Sequence, residues 1–136
     1  MSRPLLEVEL LGAERTVTVF GLLDSGADMS LLNIRYAPVL GIALDNLPTK
    51  DFIGISDEPV RTYFTEIPVK IKFFDQILYL PIALADSPSV DMLLGQEEFF
   101  SAYRIRFEKD RDVFEVQASR AYWSMERGRD KRNLKK

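Results

Sequence analysis

Residues 20–33 read FGLLDSGADMSLLN and place one acidic residue, Asp24, with Gly26 between two apolar runs. Asp, Ser and Gly are common turn formers, so a tight turn between two strands is the simplest interpretation of Asp-Ser-Gly alone. The apolar residues on both sides predict that this turn is buried. An ionised carboxylate is costly to bury unless something compensates it. The stretch therefore predicts that some interaction compensates the Asp24 carboxylate.

The composition is that of a globular protein. The chain has 136 residues, of which 46% are hydrophobic and 29% are charged, values typical of one folded domain with a sizeable core. No apolar run approaches the roughly 18 residues that cross a bilayer. The first residues, Met-Ser-Arg-Pro, lead into alternating sequence and not into a signal peptide. We expect a cytoplasmic protein.

The chain contains no cysteine and no histidine. This excludes disulfides, thiol nucleophiles, zinc sites built on Cys or His, and Ser-His catalytic pairs. Carboxylates are then the leading candidates for chemistry, and no metal or cofactor is implied. The acidic pairs Glu97-Glu98 and Asp110 with Asp112 lack the glycine and the distal glutamate of a calcium loop, so we interpret them as solvated.

Charge is distributed unevenly along the chain. Residues 1–119 carry 11 basic and 19 acidic side chains, whereas residues 120–136 carry 7 and 2. We therefore predict a domain over 1–119 and a basic C-terminal tail over 120–136, expected to be flexible. The tail could contact an anionic surface, but it lacks interleaved aromatic residues and the body is acidic. No nucleic-acid partner is expected.

Period-2 alternation of apolar residues dominates the chain and predicts an all-β domain. Residues 77–85 are apolar on both faces, which predicts a central strand. Pro81 is unusual in such a strand, because proline cannot donate to a ladder. Two short stretches, 34–40 and 96–103, could be helical. The predicted strands are 5–11, 17–23, 50–55, 60–73, 77–85, 105–107 and 113–116.

A second motif lies far downstream, where Met92-Leu93-Leu94-Gly95 is followed by Phe99-Phe100. Together with Leu22-Leu23-Asp24-Ser25-Gly26-Ala27-Asp28, in that order, it resembles the retropepsin-like aspartic proteases. These include retroviral proteases and single-domain bacterial relatives. The resemblance spans residues 17–116. It implies a closed, retropepsin-like β-barrel, one lobe of the acid protease fold, with one or two short helices.

The resemblance implies an aspartic endopeptidase with Asp24, Ser25 and Gly26 as its catalytic residues. In this family two carboxylates face each other, share a proton and activate a water. Asp-Ser-Gly occurs once in this chain. The second aspartate would then come from another copy, which implies a homodimer with Asp24 of each subunit on the two-fold axis and a peptide substrate.

Other family positions carry over to short segments. Asp28 matches a residue that binds the substrate backbone, and residues 54–56 fall where the family has a flap that closes over the peptide. The substrate-contacting positions implied are Ala27, Asp28, Gly54, Ile55 and Ser56. The strand and turn expected to support the catalytic loop are Leu93, Leu94 and Gly95.

One departure from the family concerns Gln96. Retroviral members commonly have an arginine there, paired with the acid at the position of Asp28. Asp28 therefore either has another partner, for which Arg35 and Arg104 are the candidates, or lies more exposed. An alternative function stays open: a non-catalytic domain of the same fold that binds peptides or dimerises a partner.

Overall fold

The computed structural model describes residues 4–53, 59–86, 90–111 and 113–125. None of the helices in these ranges is long and apolar enough to cross a bilayer. The strands are β1 (Leu5–Leu11), β2 (Thr16–Leu23), β3 (Ser30–Asn33), β4 (Thr49–Ile53), β5 (Pro59–Ile71), β6 (Ile77–Ala85), β7 (Met92–Leu94), β8 (Tyr103–Glu108) and β9 (Val113–Ala118). The helix α1 spans Phe99–Ala102, 3₁₀ turns cover Ile34–Tyr36 and Lys109–Arg111, and residues 120–125 are helical.

Six strands close into a barrel. Their order is β1-β2-β7-β3-β6-β5, and β5 pairs with β1 to complete the ring. The pairings are antiparallel except for β2 with β7 and β3 with β6, which are parallel. Closure leaves no free edge around the ring, and β4 extends it by pairing with the first part of β5. The closed all-β architecture expected from the sequence is confirmed.

The core fills the barrel with the inward-facing half of each alternating strand. Val8, Leu10, Leu32, Leu80 and Leu94 are fully buried there. Each such side chain contributes about 1.5–3 kcal/mol relative to an exposed one. Pro81 is accommodated because β3 pairs with β6 only from Ile82 onward, so at Pro81 the strand has a neighbour on one side alone.

The β8–β9 hairpin lies outside the barrel sheet and forms a two-stranded sheet of its own. One face is apolar, because Tyr103, Ile105 and Phe107 lie opposite Ala118, Val116 and Phe114 in the register. Burial decreases along this face from Tyr103, which is 0% exposed, to Phe107, which is 55% exposed. The base of the hairpin is thus anchored in the core, whereas its tip presents an apolar surface.

An aromatic cluster anchors that base. The Tyr103 ring packs against Phe74, Phe99 and Trp123 at centroid distances of 5.1, 5.6 and 5.8 Å. Its hydroxyl is buried without a partner in the described structure, and burial raises the pKa of Tyr103 to about 12. The phenol is therefore neutral at physiological pH.

Two segments differ from their expected form. Helix α1 is shorter than the predicted 96–103, because residues 96–98 form a turn, Glu98 has a φ of 65° and Tyr103 already begins β8. Residues 120–125, expected within the flexible tail, are helical, and the buried Trp123 donates from its indole nitrogen to Ala102 O at 3.2 Å. Residues 126–136 of the predicted tail lie outside the described ranges.

Candidate active site

The Asp24 loop follows directly from β2. The Asp24 amide donates to Leu94 O of β7 at 3.0 Å, which continues the β2–β7 ladder up to the carboxylate-bearing residue. The loop then turns tightly, with Ala27 N donating to Asp24 O at 3.1 Å. The Gly26 amide donates to Oδ1 of Asp24 at 3.0 Å. A backbone hydrogen bond thereby orients the carboxylate.

The Asp24 loop is more accessible than expected. Asp24 itself is half-buried in the single chain, and Ser25 and Gly26 are exposed. The prediction that this turn is buried is therefore wrong for one copy of the chain. The apolar residues that prompted it belong to the flanking strands, where Leu23 and Leu32 are buried, whereas the turn itself emerges at the barrel surface.

The turn after β7 holds the Asp24 loop from the other side. Gln96 N donates to Ala27 O at 2.8 Å, and Glu97 N donates to Asp28 O at 2.9 Å. Residues 96–98 form a turn outside α1, because Glu98 has a φ of 65°, which is not a helical conformation. The predicted supporting segment of Leu93, Leu94 and Gly95 thus lies beside the Asp24 loop.

Gly95 lies where the two segments approach most closely. A Cβ on this residue would stand 2.5 Å from Met29 O and 2.8 Å from Ala27 O, closer than any side chain tolerates. The Gly95 amide donates to Oγ of Ser30 at 3.0 Å, and Ser30 is 0% exposed. Sequence reasoning missed Ser30, although a lone serine between Met29 and Leu31 was a detectable signal.

Gln96 contacts the Asp-Ser-Gly motif directly. Its Nε2 donates to Ser25 O at 2.8 Å. Sequence reasoning treated this residue only as the absence of an arginine. The structure shows instead that its side chain reaches the Asp24 loop, a contact that nothing in the local sequence pattern specifies.

Asp28 is exposed, and within the described residues no ion pair of its carboxylate is found. The proposal that Arg35 pairs with Asp28 is wrong, because the Arg35 guanidinium forms its ion pair with Asp91 at the start of β7. The hydrogen bond to Tyr36, followed by the negative charge of Asp91, raises the pKa of Arg35. That pair fastens the end of β7 opposite to Gly95.

Apolar side chains line the outside of the barrel next to Asp24. Successive register pairs join one outward-facing residue from each of five neighbouring strands. We call this set the outer apolar row. It ends in the 44% exposed Leu5 on one side and in a largely covered alanine on the other. Its members are Leu5, Leu22, Leu93, Leu31 and Ala83.

The predicted flap residues Gly54, Ile55 and Ser56 lie outside the described residues. The strands that lead to this segment, β4 and β5, pair in register and carry a cross-strand ion pair in which Arg61 Nε is 3.1 Å from Asp51 Oδ1. In the part of the chain that the structure describes, no three acidic side chains are grouped so that they could hold a metal ion.

Three solved structures align with most of this chain. The first is EIAV protease in complex with an inhibitor, with a TM-score of 0.52, 24% identity, and coverage of 69% of this chain and 82% of that one. A retropepsin-like aspartic protease from Rickettsia conorii aligns with a TM-score of 0.58, 15% identity, and coverage of 83% and 89%. The chain has the retropepsin-like fold.

A third solved structure covers a similar share of this chain. The retroviral protease-like domain of Ddi1 from Leishmania major aligns with a TM-score of 0.53, 15% identity, and coverage of 85% of this chain and 90% of that domain. Searches against descriptions of protein families and against curated protein sequences find no match. The fold implied by the two sequence motifs is thus confirmed by structure comparison.

Proposed function

We propose that this chain is an aspartic endopeptidase whose active site forms between two copies, each supplying Asp24. One observation carries the proposal. The Asp24 carboxylate is held by the Gly26 amide on an accessible loop at the end of β2, and Asp-Ser-Gly occurs once in the chain. The likeness of the barrel to structures that are proteases supports the same function.

The proposed chemistry needs two carboxylates in contact. Two such groups do not both ionise at close range, so the pair holds one proton. The ionised carboxylate takes a proton from a water, and this water attacks the scissile carbonyl carbon while the protonated carboxyl donates its proton to the carbonyl oxygen. The C–N bond of the resulting diol then breaks as the first carboxyl gives its proton to the amide nitrogen and one hydroxyl returns a proton to the second carboxylate, which yields a carboxylic acid and an amine. Ser25 and Gly26 would fix the loop and contact the peptide. Ala27 and Asp28 would bind its backbone.

The outer apolar row gives the expected substrate preference. Leu22 lies two residues before Asp24 and pairs with Leu93 in the β2–β7 register. Leu94, the next residue of β7, accepts from the Asp24 amide. A peptide lying over the Asp24 loop would place its side chains on this apolar surface, where burial favours large apolar groups. We therefore propose cleavage between bulky apolar residues, with residues 54–56 as the closing flap.

The β8–β9 hairpin supplies a surface suited to dimerisation. Phe107 and Phe114 form a contact with centroids 5.9 Å apart, and Phe107 is 55% exposed although it belongs to the apolar face. An exposed apolar surface of this kind is typical of an interaction site. Self-association through it would remove that surface from water. We propose it as part of the homodimer interface.

The proposal is tested with the variant Asp24→Asn on a library of unfolded protein and peptide substrates. This substitution removes the ionisable group while it preserves size and shape, so we expect cleavage to fall by at least about 10³-fold, because a neutral amide serves neither as base nor as acid. Asp45→Asn, the same change on an exposed turn, is the matched control and should cleave like the unmodified chain.

Two outcomes would contradict the proposal. Undiminished cleavage by Asp24→Asn would show that the hydrolysis does not use this carboxylate. A pure, dimeric wild-type chain that binds peptides and cleaves none of them across pH 3–8 would favour the non-catalytic peptide-binding domain.

A further inference from the structure

We propose that Gln96 is a positioning residue for Asp24 and that it acts through the peptide unit joining Ser25 to Gly26. The inference rests on the proposed function, since it assigns Gln96 a task in the same site. Gln96 is not a catalytic residue in this account, because its side chain contacts the loop backbone and not the reacting atoms.

The peptide unit between Ser25 and Gly26 is held at both of its polar ends. Its carbonyl oxygen accepts from Gln96 Nε2 at 2.8 Å, and its N–H donates to Asp24 Oδ1 at 3.0 Å. A peptide unit is planar, so fixing the direction of the C=O also fixes the direction of the N–H. Gln96 thereby sets the donor that orients the Asp24 carboxylate.

The backbone of Gln96 makes this arrangement rigid. Its amide donates to Ala27 O at 2.8 Å, and the preceding Gly95 amide donates to the buried Oγ of Ser30 at 3.0 Å. The Cα of Gln96 is therefore anchored to the same loop that its side chain contacts. Hydrogen bonds in series polarise one another, which strengthens the donor that faces the carboxylate.

The chemistry at this position defines which side chains can replace glutamine. The Ser25 carbonyl needs a donor, and arginine also presents N–H donors on a long side chain. Methionine has a similar length and no donor. Glutamate would place an acceptor against the carbonyl oxygen. The expected order of activity is therefore Gln or Arg above Met, and Met above Glu.

The test compares Gln96→Met, Gln96→Arg and Gln96→Glu in the full-length dimer, on the best peptide found for the wild-type chain. We expect Gln96→Met to lower kcat about tenfold with KM within about twofold, the effect of a misdirected catalytic group. Gln96→Arg should restore kcat to within about threefold. Gln117→Met, the same change at an exposed position on the polar face of β9, opposite to the proposed dimer surface, should leave both constants unchanged.

A second measurement is independent of activity. Amide exchange at Gly26, followed by NMR, should be about tenfold faster in Gln96→Met than in the wild-type chain and in Gln117→Met, because the peptide unit is released. A wild-type kcat for Gln96→Met, or unchanged exchange at Gly26, would overturn the positioning role. If the wild-type chain cleaves nothing, the endopeptidase proposal fails, and the exchange rate still decides the role of Gln96.

Discussion

Asp24 owes its distinct setting to the peptide units around it and not to burial. The carboxylate is half-buried and accepts from Gly26 N, while the backbone of the same residue is joined to β7 through Leu94 O. A carboxylate held this way is oriented without being removed from water. In the proposed dimer, this accessible carboxylate would contact the Asp24 carboxylate of the second copy.

At the residue scale, Ser30 gives a test of how the loop is supported. Replacing Ser30 with alanine leaves the Gly95 N–H buried without its acceptor, and an unpaired buried donor costs about 1–3 kcal/mol. We expect Ser30→Ala to lower the free energy of unfolding by this amount in urea titrations. It should also lower kcat, since the Gly95 turn carries the contacts to the Asp24 loop.

The matched control is Ser101→Ala on the exposed side of α1. An exposed substitution of this kind changes stability by no more than about 0.5 kcal/mol. Equal stability of the two variants would show that the hydrogen bond between Ser30 and Gly95 does not support the fold.

At the element scale, the barrel brings the two motifs together because β7 lies between β2 and β3. Alternation within single strands predicted β1, β2 and β5, since their inward faces are apolar, and a run that is apolar on both faces predicted β6. The sequence could not predict that Leu22, Leu93 and Leu31 would align in one row, because register depends on pairing across the barrel.

The extent of α1 could not be predicted from local sequence either. Residues 96–98 have ordinary helix-forming composition, but Glu98 has a φ of 65°, and the turn that contains it is held against the Asp24 loop by bonds from the amides of Gln96 and Glu97 to Ala27 O and Asp28 O. A tertiary contact thus overrides local propensity. The contact of Gln96 is also tertiary. Its side-chain partner, Ser25 O, lies far away in sequence, so local sequence could not predict it.

A substitution on the β8–β9 hairpin tests its proposed role in dimerisation. Phe107→Ser removes an exposed aromatic ring from the proposed dimer surface, and burying such a ring contributes about 1.5–3 kcal/mol. Each dimer would lose two rings, so we expect the dimer dissociation constant to rise at least about tenfold in sedimentation equilibrium. The monomer fold should persist, since Phe107 lies at the hairpin tip and not at its buried base.

Phe73→Ser is the control for this experiment. Phe73 is 92% exposed and lies in the turn between β5 and β6, which is not part of the hairpin. The dimer dissociation constant of Phe73→Ser should match that of the unmodified chain. If Phe107→Ser and Phe73→Ser both dimerise like the wild-type chain, the two-fold axis uses a different surface.

At the scale of the whole molecule, the proposed function gives this chain half of an aspartic protease site. A barrel with one Asp-Ser-Gly loop is chemically complete only if a second copy brings its own Asp24 to the axis. The composition supports a carboxylate mechanism, because the absence of histidine and cysteine leaves carboxylates as the candidate catalytic groups. The single Asp-Ser-Gly motif predicts that two copies pair, but the sequence does not specify the surface through which they would meet.

The most direct test of the shared site is a subunit-mixing titration. Wild-type and Asp24→Asn chains are unfolded together in varied proportions, refolded at constant total concentration and assayed for cleavage. If both Asp24 carboxylates are required, only wild-type pairs are active, and activity follows the square of the wild-type fraction, about one quarter at equal mixing. Activity that falls in direct proportion to the wild-type fraction, about one half at equal mixing, would contradict a site shared between two copies.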